Sequence, residues 1–298
     1  MTGSLEFWLF LPQMRMSMET LLERAGAAEA AGFSGMAGMD HLAPPGAEVT
    51  PMFEAMTTNT WVAARTETLK VGSLVLCDAF RHPAVLARQA VTIDAASGGR
   101  FELGLGWGSV VDEFEMFGVG PTATRGRRTR LKESLEIITA LWRGESVDYD
   151  GEHFRLHNAV QQPGPLGRIP IVIGGAGPKT MELVAAYADW WNVHIGILDK
   201  FEQMRPLAGP ARCSLQVQVA YVADEHQRTD IVATAERRLG PRVVSGSATE
   251  LVDYFGSLVT LGVERVYLWF SDFAVPDTLA SFGADVISQF ESAPPGSR

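Results

Sequence analysis

Asp40 and His41 are the residues whose types and position most suggest chemistry, because they stand together at the end of an apolar segment. An imidazole titrates near neutral pH, so His41 could donate or accept a proton during a reaction. If the segment is a regular strand, Asp40 faces the opposite side, because successive strand side chains alternate. We therefore predict that His41 is the catalytic residue; a capped loop histidine is the alternative.

A second segment is suited to binding an anion. It runs Gly174-Gly175-Ala176-Gly177-Pro178-Lys179-Thr180, between an apolar strand and a helix. Free backbone N–H groups at a helix N-terminus attract phosphate, small residues allow close approach, and Lys179 adds positive charge. The Walker pattern does not match here. The segment therefore predicts a phosphate site, with an ordinary strand-to-helix turn as the alternative.

A third feature is the alternation of Gly104, Gly106 and Gly108 with Leu105 and Trp107. A strand face without side chains leaves room for a flat ligand, although tight packing inside a barrel would produce the same pattern. A dinucleotide site is disfavoured, because G-x-G-x-x-G would need glycine where Ser109 stands, and because this is the fourth strand rather than the first.

Several function classes are excluded by composition and motifs. The formal net charge of −10 has the wrong sign for a nucleic-acid partner. No apolar run approaches the roughly 18 residues of a spanning helix, so we expect no membrane partner. The cysteines and histidines lack zinc spacing, and no G-x-S-x-G elbow is present. Two cysteines are too few for a disulfide scaffold, which favours reduced thiols and a cytoplasmic location.

Eight strand-like segments alternate with helix-like segments and must position these residues. We predict strands at residues 5–11, 33–42, 70–77, 101–107, 169–174, 190–194, 215–222 and 265–270. Predicted helices cover residues 18–31, 53–65, 83–98, 129–143, 179–188 and 278–290, with a long polar loop before residue 129. His82-Pro83 and Gly98-Gly99 mark the two ends of the third helix.

The strand segments are almost continuously apolar, as parallel strands covered on both faces are. Eight such βα units favour an α/β fold of the (β/α)8 TIM-barrel type, and an open doubly wound sheet is the alternative. A hairpin turn at Asp150-Gly151 predicts a small β-hairpin insertion, about residues 145–169, between helix 4 and strand 5. Residues 1–298 are expected to form one domain. Asp40 and His41 would then lie at the rim where barrel enzymes place their chemistry.

Together these segments resemble the luciferase-like monooxygenase superfamily, whose members are flavin- or F420-dependent oxidoreductases. The resemblance covers nearly the whole chain and is sharpest at Arg81-His82-Pro83, residues 97–108, Glu113-Phe114, residues 127–142 and residues 173–192. It implies a (β/α)8 barrel with an insertion after the fourth helix.

The resemblance also implies a cofactor with a tricyclic ring in the barrel mouth and a phosphate-bearing tail. The tail would meet Gly175, Ala176 and Gly177, with Pro178 and Lys179 beside them. A non-proline cis peptide bond is expected after the third strand, at Ser73–Leu74. The residues expected near the ring are Asp40, His41, Ser73, Leu74, Cys77, Gly106, Trp107, Gly108 and Asp112.

The favoured cofactor is F420, with FMN as the alternative, because Asp-His at the end of the second strand resembles the F420-dependent branch. The implied reaction is hydride transfer between the deazaflavin and a small organic substrate. An FMN-dependent luciferase-like monooxygenase and a non-catalytic cofactor-binding barrel are the alternatives. In the family's F420 sugar-phosphate dehydrogenases a glutamate follows the strand-four glycines; Ser109 stands there in this chain, which argues against sugar-phosphate oxidation.

Substrate and assembly are expectations of the same kind. We expect the substrate pocket to be built from the loops at residues 12–18, 43–52 and 196–210. Their aromatic and methionine residues, with those of adjacent strands, favour an apolar or aromatic small molecule. A homodimer is the family expectation.

Overall fold

The strands form one large parallel sheet and one small antiparallel pair in the computed structural model, which describes residues 4–44 and 50–290. Residues 45–49, within the expected substrate loop 43–52, lie outside the described residues. The strands are β1 (Glu6–Phe10), β2 (Gly35–Gly38), β3 (Lys70–Ser73), β4 (Leu76–Cys77), β5 (Phe101–Gly106), β6 (Val147–Asp150), β7 (Arg155–Ala159), β8 (Ile171–Gly174), β9 (Trp190–His194), β10 (Arg212–Tyr221), β11 (Val244–Gly246) and β12 (Arg265–Phe270).

Eight of these strands close into a parallel barrel. The order around the ring is β1, β2, β3, β5, β8, β9, β10 and β12, and β12 pairs again with β1. The pairing of β9 with β10 completes the ring, which confirms the barrel and rules out the open sheet. β4 continues after β3 and pairs with β5, and β11 adds to β10.

Helices surround the barrel because each outward strand face is apolar. They are α1 (Met18–Ala30), α2 (Ala55–Ala63), α3 (Pro83–Ser97), α4 (Val111–Phe117), α5 (Thr124–Trp142), α6 (Pro178–Tyr187), α7 (Phe201–Met204), α8 (Arg228–Leu239), α9 (Ala248–Thr260) and α10 (Pro276–Asp285). As predicted, Pro83 begins α3 and Gly98 ends it in the left-handed conformation, with φ of 68°. In the residues described, no helix is both long and apolar enough to cross a bilayer.

The sequence-based element boundaries were wrong in four places. The predicted second strand, residues 33–42, is only Gly35–Gly38, so Asp40 and His41 follow the strand rather than lie within it. The predicted polar loop before residue 129 contains α4, and α5 begins at Thr124, because glycines and charged residues obscure the helical period there. The predicted third strand is interrupted between Ser73 and Leu76, so it forms β3 and β4. Helices α8 and α9 had not been delimited.

The stretch predicted as a hairpin forms the antiparallel strands β6 and β7, which pair Asp150 with Arg155. Glu133 of α5 holds their turn, because its carboxylate accepts hydrogen bonds from the backbone N–H groups of Glu152 and His153 at 2.8 and 3.0 Å. The hairpin lies between α5 and β8 along the chain.

The amino-terminal end of the barrel interior is filled by an ion cluster. Arg265, only 1% exposed, binds Glu102 at 2.6 Å and Glu6 at 2.7 Å. Its guanidinium lies 4.4 Å from the ring centre of Trp8 and 3.7 Å from that of Trp190. Because this end is occupied, the opposite end, where the strands terminate, is the one that can admit a ligand.

Candidate active site

A cavity of about 320 Å³ opens where β2, β4, β5 and β8 end. This volume is at the lower end of the roughly 300–1,000 Å³ typical of small-molecule sites. The cavity is lined by Met39, Asp40, His41, Leu74, Val75, Leu76, Cys77, Gly106, Trp107, Gly108, Ser109, Val110, Glu113, Phe114, Gly174 and Gly175.

His41 forms a pair with Glu113 in the cavity wall. Its Nδ1 lies 2.9 Å from Oε2 of Glu113, a side chain only 4% exposed. The other carboxylate oxygen accepts hydrogen bonds from the backbone N–H groups of Leu42 and Ala43. Because a carboxylate only accepts hydrogen bonds, this contact puts the imidazole proton on Nδ1 and leaves Nε2 for a reacting molecule.

Asp40 is buried, and its carboxylate is hydrogen-bonded to residues other than His41. Arg81 donates to both of its carboxylate oxygens, at 2.6 and 2.9 Å, and the backbone N–H of Cys77 donates at 2.8 Å. Burial alone would lower the pKa of Arg81, but Asp40 and Glu54 raise it, so the guanidinium stays charged. Asp40 therefore ties the segment after β2 to the segment after β4, and the hydrogen bonds of its carboxylate go to Arg81 and Cys77 rather than to His41.

Arg130 of α5 supports the same segment from the opposite side. Its guanidinium donates to the carbonyl and the carboxylate of Asp78, both at 2.6 Å, and to the carbonyl of Arg81 at 3.1 Å. Burial raises the pKa of Asp78 although Arg130 opposes the shift. The segment that carries Cys77 is thus fixed by two arginines.

The glycines of β5 serve close packing more than ligand space. A Cβ at Gly104 would overlap the carbonyl oxygen of Ser73, and one at Gly106 would lie 2.7 Å from Cγ2 of Val75. Gly108 has φ of 80°, and its Cβ would lie 2.9 Å from Sγ of Cys77. The interpretation of this face as room for a flat ligand is therefore wrong at Gly104, whereas Gly106 and Gly108 do line the cavity.

A non-proline cis peptide bond follows the third strand, but at Leu74–Val75 rather than at the expected Ser73–Leu74. The backbone N–H of Leu74 donates to the carbonyl of Gly38 at 2.8 Å. The three residues that follow Ser73 all line the cavity.

The turn predicted to bind an anion lies beside the cavity. Gly175, with φ of 118°, lines it, and its carbonyl accepts the indole N–H of Trp191 at 2.8 Å. The backbone N–H groups of Ala176 and Gly177 find no acceptor among the residues that the structure describes. Gly177 caps α6, which Pro178 begins. Two amide groups are thus free for an anion at the edge of the cavity.

Six predicted residues do not line the cavity: Ser73, Asp112, Ala176, Gly177, Pro178 and Lys179. Ser73 is buried against α2, where its hydroxyl accepts from the side-chain amide of Asn59 at 3.0 Å. Asp112 is exposed on α4, and its neighbour Glu113 is the carboxylate that reaches the cavity. Lys179 is exposed and paired with Glu182 at 3.1 Å.

Cys77 and Trp107 both line the cavity, but their surroundings differ. Burial, reinforced by the charges of Asp40 and Asp78, raises the pKa of the Cys77 thiol to about 12, so the group is neutral. Trp107 is half-buried, and the guanidinium carbon of Arg127 lies 4.8 Å from its ring centre. Arg127 also donates to the carbonyl of Gly108 at 2.8 Å, which fixes this part of the wall.

Sequence reasoning left two residues without a role. Glu113 and Arg81 were noted only as parts of motifs. Asp112 and Glu113 both stand in the first turn of α4, so the sequence narrows the choice to two carboxylates without deciding between them. The partner of Arg81 stands 41 residues away in the chain, so no local pattern identifies it.

Comparison with known proteins gives a family and a fold. A family model described as luciferase-like monooxygenase matches residues 5–210. An F420-dependent glucose-6-phosphate dehydrogenase from Mycolicibacterium fortuitum is 36% identical over 170 residues, which are 56% of this chain and 49% of that one. The chain therefore spans about half the length of the curated relatives it matches.

Two solved structures share the barrel. The coenzyme F420-dependent tetrahydromethanopterin reductase from Methanopyrus kandleri has a TM-score of 0.80 at 20% identity and covers 97% of this chain and 100% of its own. The oxygenating constituent of 3,6-diketocamphane monooxygenase from Pseudomonas putida, in complex with FMN, has a TM-score of 0.80 at 16% identity and covers 96% and 99%. At these identities the likeness establishes the fold.

Proposed function

Because the chain belongs to the luciferase-like monooxygenase family, we propose that it is an F420-dependent oxidoreductase with its active site in the cavity around His41. The observation that carries the proposal is one of position. The His41–Glu113 pair and Gly175 line the same cavity, and the free amide groups of Ala176 and Gly177 directly follow Gly175, so one molecule could contact both. The curated relative's name supports F420 over FMN, the alternative.

The residues present fit a cofactor with a planar ring and an anionic tail. The tail phosphate would be held by the N–H groups of Ala176 and Gly177, with Gly175 and Pro178 leaving space around it. Lys179 would contribute only long-range charge, because it is paired on the surface. The ring would lie against Leu74, Cys77, Gly106, Trp107 and Gly108. When bound, the deazaflavin supplies a hydride donor or acceptor.

His41 would move the proton that accompanies oxidation or reduction of the substrate. Glu113 accepts a hydrogen bond from Nδ1–H of His41, which leaves Nε2 available to the substrate. Asp40 and Arg81 hold the end of β2 in place, and the neutral thiol of Cys77 adds no competing nucleophile. Apolar residues such as Leu74 and Phe114 limit the water in the cavity.

The substrate we propose is a small apolar or aromatic molecule rather than a sugar phosphate. Among the described residues that line the cavity, none is lysine or arginine, and Ser109 stands where a glutamate would be expected for sugar-phosphate oxidation. A doubly charged phosphate would have to approach the carboxylate of Glu113 without a balancing cation.

We further propose a cytoplasmic homodimer in which residues 1–298 form one domain with an insertion at about 145–169. The support for self-association is an apolar groove of about 960 Å³ between α2, α3 and the hairpin, with Trp61, Val85 and Val160 exposed. A Trp61→Glu variant should shift the molar mass measured by light scattering from dimer to monomer. Leu261→Glu, at an equally exposed site, should not; a monomeric unmodified protein would refute the dimer.

Cofactor titration tests the main proposal. We expect F420 to bind with micromolar affinity, measured by its fluorescence, and FMN to bind more weakly. Gly177→Asp should weaken F420 binding at least tenfold by repelling the phosphate, yet leave thermal stability unchanged or higher, since aspartate is a good helix N-cap. Gly167→Asp, in an open loop, is the matched control.

The outcomes separate the alternatives. Tighter binding of FMN would favour the monooxygenase, and binding of neither cofactor would refute the proposal. F420 binding without spectral reduction by any member of a panel of alcohols would favour a cofactor carrier. A His41→Ala protein with full turnover would exclude the proposed role of that residue.

A further inference from the structure

The inward side chains of β10 are amides, whereas much of the neighbouring interior is apolar. Leu215 and Val217 are fully buried in the outer core, so strand alternation directs Gln216 and Gln218 into the barrel. The register pairs Gln216 with Tyr267 and Gln218 with Trp269 of β12. Tyr267 belongs to the interior cluster, which confirms this direction.

These amides have no partner in the part of the chain that is described, namely residues 4–44 and 50–290. Gln216 and Gln218 are half-buried, and the indole N–H of Trp269 is buried without an acceptor. Deeper in the barrel, by contrast, Ser214 and Asn192 bond to each other at 3.1 Å. Buried polar groups are normally paired, so the unpaired indole N–H of Trp269, with two unpaired amides beside it, indicates a ligand that pairs with these groups.

The surroundings of these groups are largely apolar, although His194 of β9 is also a register partner of Gln216. The ring of Phe10 lies 5.5 Å from that of Trp269. Met39, Leu74 and Trp269 belong to the same interior cluster, and Met39 and Leu74 also line the cavity with His41, so this cluster adjoins the cavity. The interior guanidinium of Arg265 is engaged by carboxylates at the far end.

We propose that Gln216, Gln218 and Trp269 form the hydrogen-bonding wall of a substrate subsite that selects an uncharged molecule with an apolar body and one hydroxyl or carbonyl oxygen. Phe10 and Met39 would contact the apolar body. The proposal rests on the proposed function for identifying the bound molecule as a substrate, although the hydrogen bonds themselves need no cofactor. Amides match an oxygen that donates or accepts, without the attraction for phosphate that lysine or arginine would add.

Two probes of nearly equal shape test this subsite. Cyclohexanone carries the oxygen, and methylenecyclohexane replaces it with a CH₂ group. Binding of each to the F420-loaded protein would be measured by calorimetry and ligand-observed NMR. We expect the unmodified protein to prefer the ketone by about 3- to 10-fold, the worth of one net hydrogen bond. Gln216→Leu or Gln218→Leu should abolish that preference, whereas Gln227→Leu on the surface should keep it.

The ratio of the ketone and alkene affinities is measured within one protein, so it does not depend on small changes in stability. Gln218→Glu provides a second variant, whose side chain has the same size as that of glutamine. No ketone preference in the unmodified protein, or the same preference in both leucine variants, would overturn the proposal. So would a loss of F420 affinity in those variants with the preference kept, since the amides would then contact the cofactor. A protein that binds no F420 but keeps the ketone preference would refute the proposed function and leave the subsite standing.

Discussion

At the scale of single residues, the site depends on what holds His41 rather than on His41 alone. Glu113 contacts the imidazole and two backbone N–H groups of the same loop, so one buried carboxylate fixes both the proton position and the chain that carries it. This is the logic by which a buried acid orients a catalytic histidine in unrelated enzymes.

Glu113→Gln should lower kcat by about 100-fold, because the amide would present an N–H to Nδ1 of His41 and favour the wrong tautomer. The F420 dissociation constant and the thermal midpoint should change little, since the glutamine oxygen can still accept the loop N–H groups. Steady-state kinetics with a substrate found in the alcohol panel provides the measurement. Glu115→Gln, exposed on the same helix, is the control. Unchanged kcat in Glu113→Gln would contradict the positioning role.

Cys77 should remain unreactive towards iodoacetamide in the native protein at pH 8.5. Its pKa is raised to about 12, chiefly by burial, so at this pH the thiolate that reacts is scarce. Burial likewise raises the pKa of Cys213 to about 11. Mass spectrometry should find both alkylated only after unfolding. Rapid labelling of Cys77 below pH 9 in folded protein would show that the thiol is exposed or activated.

At the scale of elements, the interruption between β3 and β4 positions the cavity wall. The chain turns inward there because β5 presents glycines, and Ser73 and Val75 occupy the space that side chains would fill. Residues 74–77 thereby line the cavity, while Ser73 faces α2.

Gly104→Ala should lower the free energy of unfolding by about 1–3 kcal/mol, because the added Cβ meets a backbone oxygen that cannot rotate away. Chemical denaturation would measure the change. Gly26→Ala is the matched control: it lies on the exposed face of α1 with open space around it, and it should raise stability by about 0.5–1 kcal/mol. Equal effects of the two substitutions would contradict the packing role of Gly104.

At the scale of the whole molecule, the barrel interior has three levels. The amino-terminal level is the Arg265 cluster, the middle level contains Trp8 and Tyr267, and the upper level contains the cavity and the amides of β10. Because the first two levels are filled, a ligand can enter only from the carboxyl end of the strands.

Arg265→Met should destabilise the protein by about 3–5 kcal/mol, because it leaves Glu102 buried and unpaired. Adding Glu102→Gln should recover part of that loss by removing the uncompensated charge. Denaturation curves of the two single variants and the double variant would give the coupling free energy. A double variant no more stable than Arg265→Met would argue that packing, rather than charge pairing, is the main contribution.

The sequence predicts those features of the fold that depend on interactions between residues close together in the chain. The eight strands, the start of α3 and the turn before α6 depend on side-chain alternation, proline and glycine within a few residues, so local patterns identify them. The same patterns place His41 at the end of β2, although the assignment of its chemistry stays a prediction.

The tertiary structure alone decided which of these groups meet. Glu113 contacts His41 from 72 positions along the chain, and Arg81 binds Asp40 from 41 positions away. A local pattern cannot distinguish Asp112 from Glu113, because only the rotation of α4 against the barrel decides which carboxylate is buried. Nor can it show whether the glycines of β5 leave a space or fill one, since the atoms that occupy it belong to a neighbouring strand. Barrel closure brings these distant residues together, and contacts of that range leave no trace in local periodicity.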